Sequence, residues 1–218
     1  IGLAELFTAL TAQSVKAYAY VGYAYGLAIV AATYFAPTSV EAVLIIGMVL
    51  SLIVMLRYAQ HSHAYIGWAL TMASVWYVAY LLSYVIRMRA MTTPLSDGVF
   101  AQLIAPGTAW IITTLASTWI CDAFAYFCGR AFGKHLLAPH ISPKKTWEGS
   151  IGGVVGAVLT CMACLPLFGL PLPWWGALLI GLMTGIIGPL GDLAESLIKR
   201  QLGIKDLGAL FAGHGGML

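Results

Sequence analysis

The C-terminal stretch, residues 191–218, concentrates the residue types that bind metal ions and phosphates. Only 9% of the chain is charged, yet carboxylates and cations crowd together here behind an apolar segment. Four residues follow the spacing i, i+3, i+4 and i+7, namely Asp192, Glu195, Ser196 and Lys199. In a helix this spacing puts all their side chains on one face. The pattern predicts a site for a metal ion and phosphate groups at the end of an apolar helix.

A second polar face lies in an earlier apolar stretch. Asp122, Tyr126 and Arg130 follow i, i+4 and i+8, so one helix face carries all three. An Asp inside a membrane helix costs about 2.5–3.5 kcal/mol unless it is paired or faces water. Asp122 is therefore a candidate functional residue. The alternative is a structural ion pair with Arg130.

The segment that follows, residues 129–149, is rich in Gly and Pro, which favours a loop. It offers donors for phosphate oxygens: Arg130, Lys134, Ser142, Lys144, Lys145 and Thr146. A basic loop beside a membrane is often only an anchor for lipid headgroups. The nearby acids Glu148 and Asp122 favour a more specific site. The Gly-x-x-x-x-Gly-Lys-Ser/Thr motif of P-loop nucleotide sites does not occur in the sequence.

Composition sets the class of protein. Hydrophobic residues make up 61% of the chain, far above the ~45–50% of a soluble domain. We therefore predict an all-α polytopic integral membrane protein with about six transmembrane helices, and expect further helices beyond one or both ends. The predicted spans are residues 15–35, 42–56, 64–86, 101–128, 150–170 and 174–190, after an interfacial helix in residues 1–14. The span at 42–56 is short for a crossing.

The spans divide the chain into N-terminal membrane helices, residues 1–91, and a catalytic membrane region, residues 92–218, with loops 129–149 and 191–218. Alternating crossings put nine of the 11 Lys and Arg residues on the side of these loops. This bias predicts that they face the cytoplasm. Glycines from Gly149 to Gly156 predict close packing of the fifth span. Pro189 predicts a bend in the sixth span beside a polar pocket.

These blocks together resemble a known family. Ser196-x-x-Lys199-Arg200, then Lys205-Asp206-x-Gly208, and finally His214-Gly215-Gly216 look like the signature of the phosphatidate cytidylyltransferases, or CDP-diacylglycerol synthases. The stretch from Asp122 to Arg130 and Ser142-Pro-Lys-Lys-Thr-Trp-Glu-Gly149 are similar to that family's internal motifs. Ala212 stands where the family usually has Pro. The family motif continues with an Asp-Arg pair and a further Asp, and this sequence ends at Leu218 before them.

The resemblance implies that a phosphatidate oxygen attacks the α-phosphorus of CTP, which gives CDP-diacylglycerol and pyrophosphate. It implies Mg²⁺, with a second metal ion left open. The implied catalytic residues are Asp192, Ser196, Lys199, Arg200 and Lys205. The implied metal ligands are Asp192, Glu195, Asp122 and Asp206. His214 joins the phosphate-binding residues named above, which are Arg130, Lys134, Ser142, Lys144, Lys145 and Thr146.

The resemblance also implies a setting for the reaction. We expect a multi-pass protein of the plasma membrane whose site faces the cytoplasm, with the lipid bilayer as a partner. A homodimer is left open, and no nucleic acid partner is expected. Two other functions remain open: a CTP-dependent lipid-alcohol kinase, which transfers the γ-phosphate, and an ion-coupled transporter, which needs polar groups through the depth of the bilayer.

Overall fold

The structure is a computed structural model that describes residues 1–12, 17–58, 60 and 63–204. Helices dominate these residues. In chain order they are α1 (Gly2–Ala12), α2 (Ala19–Phe35), a 3₁₀ turn (Pro37–Ser39), α3 (Val40–Leu56), α4 (Ala64–Ser74), a π-helical stretch (Val75–Tyr80), α5 (Leu81–Arg89), α6 (Pro106–Phe132), α7 (Trp147–Phe168) and α8 (Trp174–Gln201). A two-stranded ribbon, β1 (Leu136–Ala138) and β2 (Ser142–Thr146), lies between α6 and α7.

The chain separates into two compact units. One contains residues 1–87 and the described residues from 201, and the other contains residues 88–200. Five helical stretches of the described residues are long and apolar enough to cross a membrane: Pro37–Leu56, Ala64–Arg89, Pro106–Phe132, Trp147–Phe168 and Trp174–Gln201. Together with the shorter apolar α2, they make the chain an all-α polytopic membrane protein.

The N-terminal unit packs around Ile29 and Val75, which are fully buried. Tyr25 is buried beside them, and its Oη donates a hydrogen bond to the Leu44 carbonyl oxygen at 2.7 Å. The buried Ser51 accepts a hydrogen bond from Trp68 Nε1 at 2.9 Å and donates to a backbone carbonyl oxygen of its own helix. The Tyr25 and Ser51 hydroxyl groups and the Trp68 indole N–H thus find partners inside the protein, as an apolar environment requires.

The second unit is organised by close packing of α6 against α7. A Cβ atom at Gly153 would lie 3.0 Å from the Cys121 carbonyl oxygen, and one at Gly156 would lie 2.7 Å from Phe124 Cγ. The helices therefore approach more closely than larger side chains would permit. This confirms the packing role predicted for the glycines that open α7.

The backbone carbonyl groups at the C-terminal end of α7 accept hydrogen bonds from the segment that precedes α6. The backbone N–H groups of Ser96 and Phe100 donate to the carbonyl oxygens of Gly169 and Leu167 at 2.6 and 2.8 Å. Gly169 itself has φ +61°, the left-handed conformation that commonly ends a helix. The last carbonyl groups of a helix have no partner within it, so these bonds fix the end of α7.

The observed helices correct several predicted boundaries. α2 begins at Ala19 instead of residue 15, and Tyr18 N before it donates to Thr71 Oγ1 at 2.9 Å. The prediction of a short second span was wrong, because the 3₁₀ turn from Pro37 extends α3 to 20 residues. α6 begins at Pro106 and not at residue 101, since proline favours the first position of a helix. The two strands within 129–149 were not predicted.

Glycine positions on α8 allow a matched test of this packing. We expect Gly185→Ala to destabilise the protein by about 1–3 kcal/mol, because the added Cβ would lie 2.7 Å from Val154 Cα. At Gly191 on the same helix an added Cβ would meet no other part of the protein within 4 Å, so Gly191→Ala should be neutral or stabilising by up to about 1 kcal/mol. Tryptophan fluorescence during thermal unfolding in detergent measures both. Equal effects of the two substitutions would contradict the close approach of α7 and α8.

Candidate functional site

A cavity of about 370 Å³ in the second unit is lined by several charged side chains. Its walls come from the C-terminal half of α6, from β2, from the first turn of α7 and from α8 at its internal proline. The lining residues are Asp122, Ala125, Tyr126, Gly129, Arg130, Lys144, Lys145, Thr146, Gly149, Ser150, Pro189 and Asp192. Two carboxylates and three cations therefore face one space.

The α6 wall carries the predicted polar face. Asp122, Tyr126 and Arg130 all line the cavity, as their spacing predicts. Arg130 Nη1 donates to Tyr126 Oη at 3.2 Å, which directs the guanidinium group along the wall. The suggested structural pair of Asp122 with Arg130 is not among the contacts of the described residues. Asp122 instead shares the cavity lining with Asp192 and Lys145.

The α8 wall is joined to the ribbon by one ion pair. Lys145 Nζ contacts Asp192 Oδ2. The same ammonium group donates a hydrogen bond to the Pro189 carbonyl oxygen at 3.4 Å. Helix α8 runs through Pro189 to Gln201, so Asp192 sits one turn further along the same helix. The pair links residues far apart in sequence across the cavity.

The ribbon presents the lysines because its base is clamped. Strands β1 and β2 are antiparallel, with Leu136 opposite Thr146. Glu148 accepts a hydrogen bond from the His135 backbone N–H at 3.3 Å, and its Oε1 lies 2.6 Å from His135 Nδ1. The Trp147 backbone N–H donates to the His135 carbonyl oxygen at 2.9 Å. His135 was not predicted from the sequence, since only the turn of the ribbon brings it to Glu148.

Thr146 has a structural role that was not predicted from the sequence. It is the N-cap of α7, and its Oγ1 accepts a hydrogen bond from the Gly149 backbone N–H at 3.1 Å. A Cβ at Gly149 would lie 2.7 Å from the Ala125 carbonyl oxygen and 3.1 Å from Gly129 Cα. The first turn of α7 therefore lies directly against α6, which sets the width of the cavity at this point.

The other predicted site residues lie elsewhere. Lys134 and Ser142 belong to the linker and ribbon but not to the cavity lining. On α8, Lys199 Nζ pairs with Glu195 Oε1 at 2.6 Å, and neither these two residues nor Ser196 and Arg200 line the cavity. The helical face predicted for Asp192, Glu195, Ser196 and Lys199 is confirmed, since all four lie in α8, whereas the roles of the α8 residues stay predictions. Lys205, Asp206 and His214 lie outside the described residues.

Protein groups in the cavity supply only some of the ligands that a divalent cation needs. Within the described residues, no three His, Cys, Asp or Glu side chains come together as a ready metal site. Asp122 and Asp192 nevertheless face the same cavity. Mg²⁺ is commonly held by one or two carboxylates together with substrate phosphates. Two carboxylates beside phosphate-binding cations fit that donor set.

Comparison with known proteins shows the family to which the chain belongs. The family model described as "Cytidylyltransferase family" matches residues 1–218. The chain belongs to the cytidylyltransferase family. It is similar to proteins named phosphatidate cytidylyltransferase from Brucella abortus (strain 2308), 46% identical over 112 residues, and from Mycobacterium tuberculosis (strain ATCC 25618 / H37Rv), 42% identical over 132 residues.

The matches cover part of each protein. The Brucella match takes in 51% of this chain and 41% of its relative, and the Mycobacterium match 59% and 40%. A phosphatidate cytidylyltransferase from Staphylococcus haemolyticus is 42% identical over 51% of this chain and 43% of its own length. The chain thus spans about two fifths of the curated relatives that it matches within this cytidylyltransferase family.

The cap of α7 can be tested apart from any role in binding. Thr146→Ala should destabilise the protein by about 1 kcal/mol, since the Gly149 N–H loses its side-chain acceptor. Thr146→Ser keeps an acceptor oxygen and should stay within a few tenths of a kcal/mol of the unsubstituted protein. The apparent melting temperature in detergent, without ligands, measures both. If serine destabilises as much as alanine, the hydroxyl is not the stabilising group.

Proposed function

We propose that the protein is a membrane-embedded nucleotidyltransferase that converts CTP and phosphatidate to CDP-diacylglycerol and pyrophosphate. The observation that carries the proposal is the cavity that joins Asp122 and Asp192 with Arg130, Lys144 and Lys145 beside apolar helices. Membership of the cytidylyltransferase family and the names of the relatives support it.

The reaction needs charge neutralisation more than a side-chain nucleophile. A phosphate oxygen of phosphatidate forms the new bond to the α-phosphorus of CTP. The bond from that phosphorus to the oxygen bridging to the β-phosphate breaks, and pyrophosphate leaves with the electron pair. Arg130, Lys144 and Lys145 bind phosphate oxygens and stabilise the negative charge that develops on them. Positioning and electrostatic stabilisation are the main contributions of a protein to such transfers.

Asp122 and Asp192 are the residues that would hold Mg²⁺ in this cavity. When bound, Mg²⁺ would supply positive charge to the phosphate oxygens. The side chains do the remaining work. Tyr126 holds the Arg130 guanidinium on the α6 wall through a 3.2 Å hydrogen bond, and the clamp between Glu148 and His135 fixes the ribbon that carries the lysines. A second metal ion remains compatible with this proposal.

The proposal includes a location. The cavity is lined by helices that are long and apolar enough to cross a membrane, so a lipid substrate held in the bilayer and a soluble nucleotide can meet there. The excess of Lys and Arg on this side of the predicted topology supports a cytoplasmic orientation. We place the protein in the plasma membrane with its site facing the cytoplasm. A homodimer is compatible with this placement and is left as a proposal.

The position of a radioactive label identifies the reaction. The intact protein in detergent–lipid micelles with phosphatidate and Mg²⁺ should move label from α-³²P-CTP into the organic phase and release label from γ-³²P-CTP as pyrophosphate. A CTP-dependent lipid kinase would instead move the γ label into lipid. Label that stays water-soluble in both experiments, with folded protein present, would overturn the proposal.

Asp192 is the carboxylate whose loss should be most damaging. Asp192→Asn keeps the size of the side chain but removes the charge, so we expect the transfer rate to fall by about a hundredfold or more. Asp97→Asn is the matched control, because Asp97 is exposed and does not line the cavity. Initial rates with α-³²P-CTP measure both variants. Unchanged activity in Asp192→Asn would show that this carboxylate has no part in the reaction.

A further inference from the structure

The contacts of Lys145 resemble those of a bound cation. Its ammonium group pairs with Asp192 Oδ2 and donates a hydrogen bond to a second oxygen, the Pro189 carbonyl oxygen, at 3.4 Å. The Lys145 side chain is only 24% exposed, while that of Asp192 is 56% exposed. Lys145 therefore covers part of the Asp192 carboxylate, and more than half of the Asp192 side chain is not covered by the protein.

The same ammonium group compensates a second carboxylate. Asp122 lines the same cavity as Asp192 and Lys145. Two carboxylates in one cavity repel each other unless a cation lies near both. In this structure Lys145 supplies that positive charge.

We infer that Lys145 is a displaceable internal cation: a divalent metal ion that binds Asp192 displaces the Lys145 ammonium from it. The inference rests on the proposed function, since it takes Asp192 as a metal ligand. Once released, the ammonium group is free to bind a phosphate oxygen in the same cavity. Lys145 thus couples the two events, because its exchange of partners favours metal and phosphate binding together.

The local structure permits this exchange without movement of the backbone. Lysine carries its charge on a flexible four-carbon stem with rotatable bonds. The backbone around it is held by the Thr146 cap and by the clamp between Glu148 and His135. The ammonium group can therefore swing while β2 stays in place.

The competing explanation is a permanent bridge. In that case the ion pair would simply tie β2 to α8, and its loss would loosen the cavity and weaken metal binding. If Lys145 is displaceable, its loss changes the metal affinity in the opposite direction. Removing Lys145 takes away a competitor for Asp192, so metal binding without nucleotide becomes tighter.

The test is a titration of the intact protein with Mn²⁺ in the absence of nucleotide and lipid substrate, with free Mn²⁺ measured by electron paramagnetic resonance. Lys145→Gln should tighten Mn²⁺ binding about fivefold, the ratio expected when a part-exposed ion pair no longer competes. Asp192→Asn should abolish this tight site, which identifies the carboxylate that is measured.

Lys144→Gln is the matched control. Lys144 is the neighbouring residue, lines the same cavity and loses the same charge, but the described contacts include no ion pair between it and Asp192. Its loss should change Mn²⁺ affinity by less than about twofold, because only screened long-range repulsion is removed. Equal tightening in both variants would mean a general charge effect and would overturn the inference. Unchanged or weaker binding in Lys145→Gln would also overturn it.

Two further measurements distinguish an effect on metal binding from misfolding of the variant and from failure of the proposed function. Thermal unfolding in detergent shows whether Lys145→Gln is folded, and Lys145→Met, which keeps the apolar stem, replaces it if it is not. The fivefold tightening is expected of either variant. The labelled-CTP assay of the unsubstituted protein tests the proposed function independently. Normal transfer with no tightening of Mn²⁺ binding would reject the role of Lys145 alone.

Discussion

The close approach of α6 and α7 is the constraint on which the cavity depends. Glycines at the start of α7 let its backbone lie against α6, where any Cβ at Gly149 would meet the Ala125 carbonyl oxygen at 2.7 Å. This contact places the first turn of α7 beside the polar face of α6. The Thr146 cap then fixes the point at which β2 enters the helix. Backbone packing between two apolar helices thus determines where the lysines of β2 stand relative to Asp122.

Charges in such an apolar protein need partners that the fold must supply. An unpaired ionised group costs several kcal/mol in hydrocarbon, and the cavity meets this demand in different ways. Arg130 is held by the hydroxyl group of Tyr126, and the described residues form no ion pair with it. Lys145 and Asp192 neutralise each other across the cavity. The first arrangement keeps a cation available for an anionic ligand. The second holds a cation in an ion pair.

The sequence predicts local features well and non-local ones poorly. The helical runs and the shared face of Asp122, Tyr126 and Arg130 follow from apolar composition and a spacing of four, because both depend on neighbours within the same helix. The ribbon could not be predicted in this way. Its strands are three and five residues long, and β2 includes Pro143 and two lysines, which do not give the alternation typical of a strand.

The same distinction separates the site residues. Contacts such as Lys145 with Asp192, or His135 with Glu148, join different elements and follow from no spacing. Helix boundaries were missed where a single residue overrides hydropathy, as Pro106 does by favouring the first position of α6. The residue types needed for phosphate chemistry were therefore identified from sequence, but the subset that shares one cavity was not.

The two groups of charges on α8 illustrate why a shared helix face does not by itself define a site. Glu195 and Lys199 lie at i and i+4, so each neutralises the other without help from another element. Asp192 has its partner on β2 and faces a cavity lined by three cations and two carboxylates. The side chains lining that cavity thus carry an excess of one positive charge. A carboxylate whose only described ion pair comes from a mobile lysine stem remains accessible to a stronger cation, whereas the locally paired Glu195 already has its charge satisfied within the helix.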